Sequence, residues 1–306
     1  MSATMPISRT QTFVWLIRRE LWEHRALYIA PLIFGAVVIL GVLYAAVFHG
    51  TIEGINMQLD GSITESLPGG RRYVVYLAFA IPFALITAVV ASYYALDALY
   101  AERRDRSVLF WKALPISDLE TIMSKLAVAA LVAPAIAVVV ALATLLVVFI
   151  VASVVLAANG HEFVSLWKDV PVLQNFLLLI YITIVLALWH LPLLAWLLLA
   201  SSWARRAAFL WASIPIGVLV LLENRTLGTN YISEQILIRI AGAVPLATNL
   251  AEDFTRESSL PLEGRTFVDI IEPGAFLSSL QLWVGLLMAA VFIAAAVWVR
   301  RYREAD

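Results

Sequence analysis

Long apolar runs alternate with short charged stretches along most of the chain. Six of these runs approach or exceed the roughly 20 residues that a helix needs to cross the hydrocarbon core of a bilayer. The predicted spans cover residues 27–48, 73–96, 126–158, 172–204, 207–222 and 275–299. The third run is the longest, so we expect it to tilt, to bend near Pro134 or to project beyond the membrane. The pattern predicts an all-α integral membrane protein in which residues 1–306 form a single transmembrane domain.

Composition supports a membrane environment. Hydrophobic residues make up 62% of the chain and charged residues 14%, whereas a soluble domain has about 45–50% apolar and about 25% charged residues. The net charge of −1 gives no reason to expect a nucleic-acid partner. The first apolar run is longer than the roughly 7–15-residue core of a cleaved signal peptide, so we interpret it as a retained span.

Lysine and arginine are distributed unequally between the two predicted sides. If the amino terminus faces the cytoplasm, two thirds of the 21 Lys and Arg residues lie inside. The predicted inside set is Arg9, Arg18, Arg19, Arg25, Arg103, Arg104, Arg106, Lys112, Lys125, Arg205, Arg206, Arg300, Arg301 and Arg303. The positive-inside rule therefore predicts that both termini are cytoplasmic. We expect the protein to lie in the cytoplasmic (inner) cell membrane. Omitting the short fifth span, which contains Pro215 and Gly217, would move the last three arginines outside.

Two further stretches predict helices that do not cross the membrane. The segment before the first span has Phe13, Leu16, Ile17 and Leu21 at helical spacing, with Trp15 and Trp22 beside them. This pattern favours an amphipathic helix in the membrane interface, and the alternative is a plain cytoplasmic extension of the first span. Residues 223–272 are predicted to lie outside and to form short external helices. Their apolar part, 236–250, is too short to span, and it favours a re-entrant or surface-lying pair of short helices.

The loop between the second and third spans, residues 97–125, carries the most informative local pattern. A charged group from Glu102 to Arg106 precedes an amphipathic turn, which Pro115 ends because the residue before a proline is disfavoured in a helix. Ser117 and Glu120 then have the spacing of a capping box that opens a new helix. The loop is predicted to form a helix–break–helix element that transmits a push from a cytoplasmic partner to the third span. The alternative is an ordinary basic anchor, since inside loops are generally basic.

Sequence patterns for catalysis or metal binding are absent. The chain has no Gly-Lys pair for a phosphate loop, no H-E-x-x-H and no G-x-S-x-G. It has no cysteine, and its four histidines are dispersed, so we expect no catalytic residue, metal or cofactor.

His190 is the one ionisable residue well inside a predicted span, which makes it a candidate for the translocation path or for proton transfer. The other interpretation is structural. Pro192 leaves the carbonyl of Leu188 without its helical donor, and a nearby polar side chain can satisfy such local groups.

Three short patterns resemble those of a known family. The stretch Glu102-Arg-Arg-Asp-Arg-Ser, followed by Leu114-Pro-Ile-Ser and by Ser124-Lys125, is similar to the loop after the second span of type-2 ATP-binding-cassette (ABC-2) export permeases. Arg18-Arg-Glu-Leu-Trp-Glu-His-Arg25 resembles their amino-terminal interfacial segment, and the six-span layout is similar too. The chain differs at Arg106-Ser107, where the family often has Gly-Thr.

The resemblance implies that the chain is the permease subunit of an ATP-driven exporter and is not itself an enzyme. Its implied partners are a separate ABC ATPase (nucleotide-binding) subunit, a second permease copy or a homologous permease, and membrane lipid. The implied ATPase-coupling residues are Glu102, Arg103, Arg104, Asp105, Arg106, Leu109, Trp111, Leu114, Pro115 and Ser117. The apolar spans suit an amphipathic substrate. The remaining alternatives are an ion-coupled secondary carrier, which usually has several acids or broken helices at mid-membrane, and a non-transporting subunit or anchor.

Overall fold

The described part of the chain is helical almost throughout. The computed structural model describes residues 9–48, 71–107, 115–160, 167, 172–248 and 267–302, with side chains described except at 71–78, 172 and 267. The first helices are α1 (Arg9–Glu23), α2 (Ala26–Phe48), α3 (Arg71–Arg104), α4 (Asp118–Ala127), a π-helical turn (Val128–Val132), α5 (Ala133–Ala158) and α6 (Val172–Trp203). They are followed by α7 (Ala208–Leu227), α8 (Tyr231–Ala241), α9 (Ala243–Ala247), α10 (Phe267–Ile270), α11 (Pro273–Ser278) and α12 (Leu280–Tyr302). Within these residues the single β-type contact is a bridge between Thr248 and Ile271.

Within the described residues, six helical stretches are long and apolar enough to cross a bilayer. This number agrees with the predicted spans and indicates a multi-pass membrane protein. The six stretches are Ala26–Phe48, Phe79–Arg104, Asp118–Ala158, Leu173–Trp203, Ala208–Leu227 and Leu280–Tyr302. Each contains one of the six predicted apolar segments or most of it.

Helix ends differ from the predicted bounds where hydrogen bonding continues past the apolar run. The helix of the second span, α3, runs on to Arg104. It does so because Ala98 and Leu99 continue the buried face that contains Ala95 beyond the polar residue at 97. The helix of the fifth span, α7, runs on to Leu227. It ends there because the next residue, Gly228, has a φ of 64°, the left-handed conformation that glycine favours. The predicted sixth span is divided into α11 and α12 at residue 279, where the backbone is extended.

The third span is a continuous helical stretch of 41 residues, Asp118–Ala158. At about 1.5 Å per residue it is about 60 Å long, so it projects beyond a hydrocarbon core of roughly 30 Å at any usual tilt. The π turn lies directly before Pro134, and the amide of Ala133 donates to the carbonyl of Val128, five residues earlier. The helix thus accommodates the proline without a break.

Small residues allow the spans to pack closely around α6. The main core is formed by buried residues from seven elements, among them Leu27, Ala95, Ile122, Ala133, Leu198 and Ala296. On the outside of the bundle, large apolar side chains are exposed along α2, α7 and α12. These faces suit contact with lipid tails rather than with water.

The helix that follows the predicted break begins as expected. Ser117 accepts a hydrogen bond on Oγ from the amide of Glu120 (3.1 Å), and its own amide donates to Oε2 of Glu120 (3.0 Å). This reciprocal pair confirms the predicted capping box at the start of α4.

The apolar stripe of α1 packs against the rest of the protein. Leu16 is buried, and Ile17 and Leu21 pack against the main core. Trp15 and Trp22 are exposed on the other side. The bundle therefore already covers the stripe that predicted an interfacial helix, and the two tryptophans remain uncovered.

Candidate functional site

Six charged side chains meet at the end of the bundle where α3 and α12 finish. We name this set the charge cluster, and its members are Arg19, Glu20, Glu102, Asp118, Lys125 and Arg300. They come from α1, from the last turn of α3, from α4 and from the last turn of α12. Five of the six side chains are at most 13% exposed, and the sixth, Asp118, is 23% exposed.

Glu102 lies at the centre of the charge cluster and contacts three cations. Its Oε1 atom is 2.8 Å from Nη2 of Arg19 and 3.0 Å from Nζ of Lys125. Its Oε2 atom accepts a hydrogen bond from Nη1 of Arg300 at 2.8 Å. Since a buried carboxylate is costly unless it is paired, these contacts explain how the last turn of α3 keeps a charged residue inside the protein.

Glu20 forms the second half of the charge cluster. Nζ of Lys125 donates to its Oε1 atom at 2.8 Å, and the hydroxyl of Tyr94 donates to its Oε2 atom at 2.8 Å. His24 lies one helical turn further on, with Nε2 3.9 Å from the same carboxylate. Burial lowers the pKa of His24, and Glu20 opposes this effect only in part. Lys125 therefore bridges two acids from helices that are distant in sequence.

The charges of the cluster balance one another. Three cations face three carboxylates, and Nε of Arg300 extends the network to Oδ1 of Asp118 at 3.0 Å. Arg19 also pairs at 2.8 Å with the half-exposed Glu23 one turn along α1. A balanced set of buried charges fixes the relative positions of its helices, because the loss of any one partner leaves an uncompensated charge.

The charge cluster joins both flanks of the loop between the second and third spans. Glu102 lies on the flank before the loop, and Asp118 and Lys125 lie on the flank after it. Through Glu20 and Arg300, both flanks are tied to α1 and α12. A displacement of the loop is thus opposed by contacts with four helical elements at once.

The predicted coupling residues fall into two groups. Glu102 is buried in the charge cluster, and Arg103 donates through Nη2 to the carbonyls of Ser201 (2.6 Å) and Ala204 (2.8 Å). A cation at this position satisfies carbonyls that the end of α6 leaves without helical donors. These two residues hold the flank of the loop within the protein.

The other group of predicted coupling residues is exposed. Arg104 and Asp105 pair with each other at 3.0 Å, and their side chains are 55% and 60% exposed. Arg106, with a φ of 56°, is exposed at the turn, and so are Pro115 and Ser117. The remaining predicted residues, Leu109, Trp111 and Leu114, lie outside the described residues.

Sequence reasoning identified Glu102 but not its partners. The sequence places Lys125 and Arg300 only among the predicted inside basic residues. Glu20 carried a usable signal, since it follows Leu16 by one helical turn and so lies on the apolar stripe of α1 rather than on its polar side.

The charge cluster does not offer a free metal site. Ligand atoms of Glu20, Glu23 and His24 lie within 4.8 Å of one another, which is compatible with ion binding. However, the ammonium group of Lys125 already lies 2.8 Å from the Glu20 carboxylate and neutralises it.

His190 lies away from the charge cluster, near the middle of α6. Nδ1 lies 2.9 Å from the carbonyl oxygen of Leu186, and Nε2 lies 3.3 Å from that of Ile240 in α8. His190 contacts the carbonyl of Leu186, one helical turn before it, rather than the carbonyl of Leu188 that Pro192 leaves without its helical donor. His190 thus links α6 to α8, and these contacts support its structural interpretation.

A second basic side chain lies next to this link. The guanidinium carbon of Arg239 in α8 is 4.4 Å from the ring centre of Trp189, and Nη2 donates to the carbonyl of Gln281 at 2.7 Å. Nη1 lies 3.4 Å from the carbonyl oxygen of Trp189. The sequence predicts nothing for Arg239 beyond its position in the outside segment 223–272.

A small cavity lies between α3, α5 and α6 beside Asn175. Its volume of about 10 Å³ suffices for about one water molecule and for no organic substrate. Asn175 is buried, and neither its Nδ2 nor its Oδ1 atom has a hydrogen-bond partner among the described residues.

Comparison of the chain with protein-family models, with curated proteins and with solved structures finds no match in any of the three. The function is therefore argued from the geometry above.

Proposed function

We propose that the chain is the permease subunit of an ATP-driven exporter of the ABC-2 type. The observation that carries the proposal is the connection of both flanks of the loop at 97–125 to α1 and α12 through the charge cluster. A separate ATPase subunit that pushes on this loop would move several spans together, which is what a permease without its own nucleotide site requires.

The exposed residues of the loop define the surface offered to the ATPase. Arg104, Asp105, Pro115 and Ser117 are accessible, and they flank residues 108–114 on both sides. Glu102 and Arg103 then act from within, by holding the loop in position, and their role is to transmit force rather than to contact the partner.

The third span provides the lever. α4 is capped at Ser117, carries Lys125 in the charge cluster and continues through the π turn into α5 as one helical stretch. Because packed helices move as rigid bodies, a force on the loop shifts this span along its whole length. The cluster end of the bundle faces the cytoplasm in this proposal, as the positive-inside rule favours.

The exposed side of α1 supports a position at the inner membrane surface. Trp15 is 56% exposed and Trp22 is 67% exposed, and the guanidinium of Arg18 lies 5.3 Å from the ring centre of Trp15. Tryptophan and arginine are suited to the level of the lipid headgroups. In the complete exporter, two permease subunits pair. The short helices between α7 and α12 lie on the outer side of the bundle, with α8 reaching into the membrane, and an amphipathic substrate leaves on this side.

Co-purification with an ATPase tests the proposal directly. The tagged chain is co-expressed with each ABC ATPase encoded beside it, as wild type and as the variant in which Arg104→Asp and Asp105→Arg exchange the exposed pair. The exchange keeps the local ion pair but reverses the charge pattern presented to a partner. We expect one ATPase to co-purify with the wild type and to be lost with the exchange, while the control Arg205→Glu, at an exposed arginine between α6 and α7, retains it. Failure of every such ATPase to co-purify with the wild type would overturn the proposal.

The orientation has its own test. The chain has no cysteine, so a single introduced one reports its side of the membrane. In intact cells, a membrane-impermeant maleimide should label Leu227→Cys, at the opposite end of the bundle, and should leave Asp105→Cys unlabelled until the cells are opened. Labelling of Asp105→Cys in intact cells would place the loop on the wrong side for an ATPase.

Two alternatives predict different outcomes in vesicles. An ion-coupled carrier would transport without ATP under an ion gradient, and the described spans give this alternative little support beyond His190. A non-transporting subunit would bind the ATPase without substrate-stimulated hydrolysis.

A further inference from the structure

Arg239 occupies an unusual environment for an arginine. Its guanidinium reaches from α8 between α6 and α12, where it stacks on Trp189 and donates to a backbone carbonyl of each of these two helices. Among the described residues no carboxylate pairs with it, and its side chain is partly buried. The cation is thus partly desolvated and carries its full charge without a counter-ion from the described part of the chain.

The position of Arg239 along the spans lies within membrane depth. Trp189 stands 14 residues before Trp203, the last residue of α6, which corresponds to about 21 Å along the helix axis. A hydrocarbon core of roughly 30 Å that begins near Trp203 therefore extends past Arg239. A lone cation at this depth is expensive unless it reaches an anion or water.

The donors of Arg239 are only partly used. A guanidinium has five N–H groups, and within the described residues two of them are accounted for by the carbonyls of Gln281 and Trp189. The contact with Trp189 is long at 3.4 Å, so the group retains the capacity for a forked bond to an oxyanion. The carbonyls and the ring hold it in place without neutralising it.

Gly285 gives the guanidinium its place against α12. A Cβ atom built on this glycine would lie 2.6 Å from both Nη1 and Nη2 of Arg239. Even the smallest side chain would therefore displace the guanidinium, and since that group is the end of a flexible side chain, the helices themselves need not move. This offers a way to displace the charge without removing it.

The two helices that hold the guanidinium expose large apolar side chains next to it in the sequence. On α8, Ile240 is 57% exposed, and on α12, Val284 is exposed as well. A soluble anion would gain nothing from these side chains, whereas an amphiphile would place its tails against them and its headgroup at the guanidinium.

We infer that Arg239, held by Trp189 and Gly285, forms a binding site for the oxyanion headgroup of an acidic membrane lipid. The site would attach lipid to the seam between α6, α8 and α12. It does not depend on ATP or on a partner subunit, so its test is separate from that of the exporter proposal.

Lipid binding to the purified protein tests the inference. Native mass spectrometry is used to titrate the detergent-solubilised chain with phosphatidylglycerol, and with phosphatidylcholine as the zwitterionic comparison. We expect selective binding of phosphatidylglycerol, with a dissociation constant that rises roughly tenfold to hundredfold in Arg239→Gln, because a charge-assisted forked bond is lost. Gly285→Ala, which keeps the arginine but displaces it, should weaken binding in the same direction. The matched control Arg225→Gln, at an exposed arginine near the same end of the bundle, should bind as the wild type does.

Several outcomes would overturn the inference. Equal affinity of the wild type and Arg239→Gln for phosphatidylglycerol would show that the arginine only holds α8 in place. Equal affinity for the two lipids would remove the acidic headgroup as the ligand, and displacement by inorganic phosphate would assign the site to a soluble anion. If Arg239→Gln fails to fold, Gly285→Ala and Arg239→Lys decide, with thermal unfolding of each variant recorded in parallel.

Discussion

Removal of the ammonium group of Lys125 is the sharpest test of the charge cluster. The variant Lys125→Met keeps an unbranched side chain of similar length and removes one cation from a site that is 1% exposed. Glu20 then keeps the hydroxyl of Tyr94 at 2.8 Å and two more distant basic groups, Nη2 of Arg19 and Nε2 of His24, each at 3.9 Å. Glu102 keeps Arg19 and Arg300.

The magnitude follows from the balance of charges. Loss of one partner from a buried ion pair costs about 3–5 kcal/mol, because the other charge stays buried without compensation. We expect the lower end, about 3 kcal/mol, since Glu102 retains two cations and only Glu20 loses its sole close one. The double variant Lys125→Met with Glu20→Gln restores the balance, so it should recover at least half of this loss, about 1.5 kcal/mol or more, as expected for two coupled residues in one network.

Unfolding in mixed micelles with rising sodium dodecyl sulfate, followed by the fluorescence of the ten tryptophans, measures the free energy of unfolding. Arg104→Gln removes an exposed cation from the neighbouring turn and serves as the control, which should unfold as the wild type does. If Lys125→Met matched that control, or if the double variant were less stable than the single one, the charge cluster would not hold the helices as described.

Three further outcomes are expected from the same unfolding assay. Asn175→Leu should raise stability by about 1–3 kcal/mol, because it removes a buried amide without partners, and a loss would mean that the amide is satisfied. Gly35→Ala should lower stability by about 1–3 kcal/mol, since the added Cβ would lie 2.6 Å from Oγ1 of Thr144. The control Gly41→Ala should not lower stability, because nothing lies within 4 Å of its added Cβ. Equal effects of the two variants would contradict the packing of α2 on α5. Burial lowers the pKa of His24 from its ordinary value of 6.5. As the pH falls, His24 therefore gains a proton in the unfolded chain before it does so in the folded protein. The free energy of unfolding should thus be higher above pH 6.5 and should decrease as the pH falls below it. Parallel pH profiles of wild type and His24→Gln would argue against this origin.

The spans and the capping box could be predicted because both depend on neighbouring residues. An apolar run of sufficient length and a serine three residues before a glutamate are local patterns, and the structure bears them out. Helix ends were less accessible. A helix continues for as long as its backbone hydrogen bonds and one packed face continue, so α3 extends to Arg104 and α7 to Leu227, past the first polar residues.

The charge cluster could not be predicted in full because its pairs are distant in sequence. Arg19 and Glu102 are separated by 83 residues, and Glu102 and Arg300 by 198. Such pairing depends on how the helices pack, and the positive-inside count treats these basic residues as interchangeable anchors. An acid on an apolar stripe, as at Glu20, is the pattern that signals a buried partner elsewhere.

The last helix has a mechanical consequence for the whole molecule. Gly285, against which the Arg239 guanidinium rests, and Arg300, which binds Glu102, lie on α12 about 22 Å apart along its axis. At about 100° per residue their directions differ by only about 60° around the axis. Since an uninterrupted helix barely stretches, we expect α12 to move as a rigid body. An axial displacement of α12 that strains the contact between Arg300 and Glu102 would displace Gly285, and with it the contact with Arg239, by the same distance.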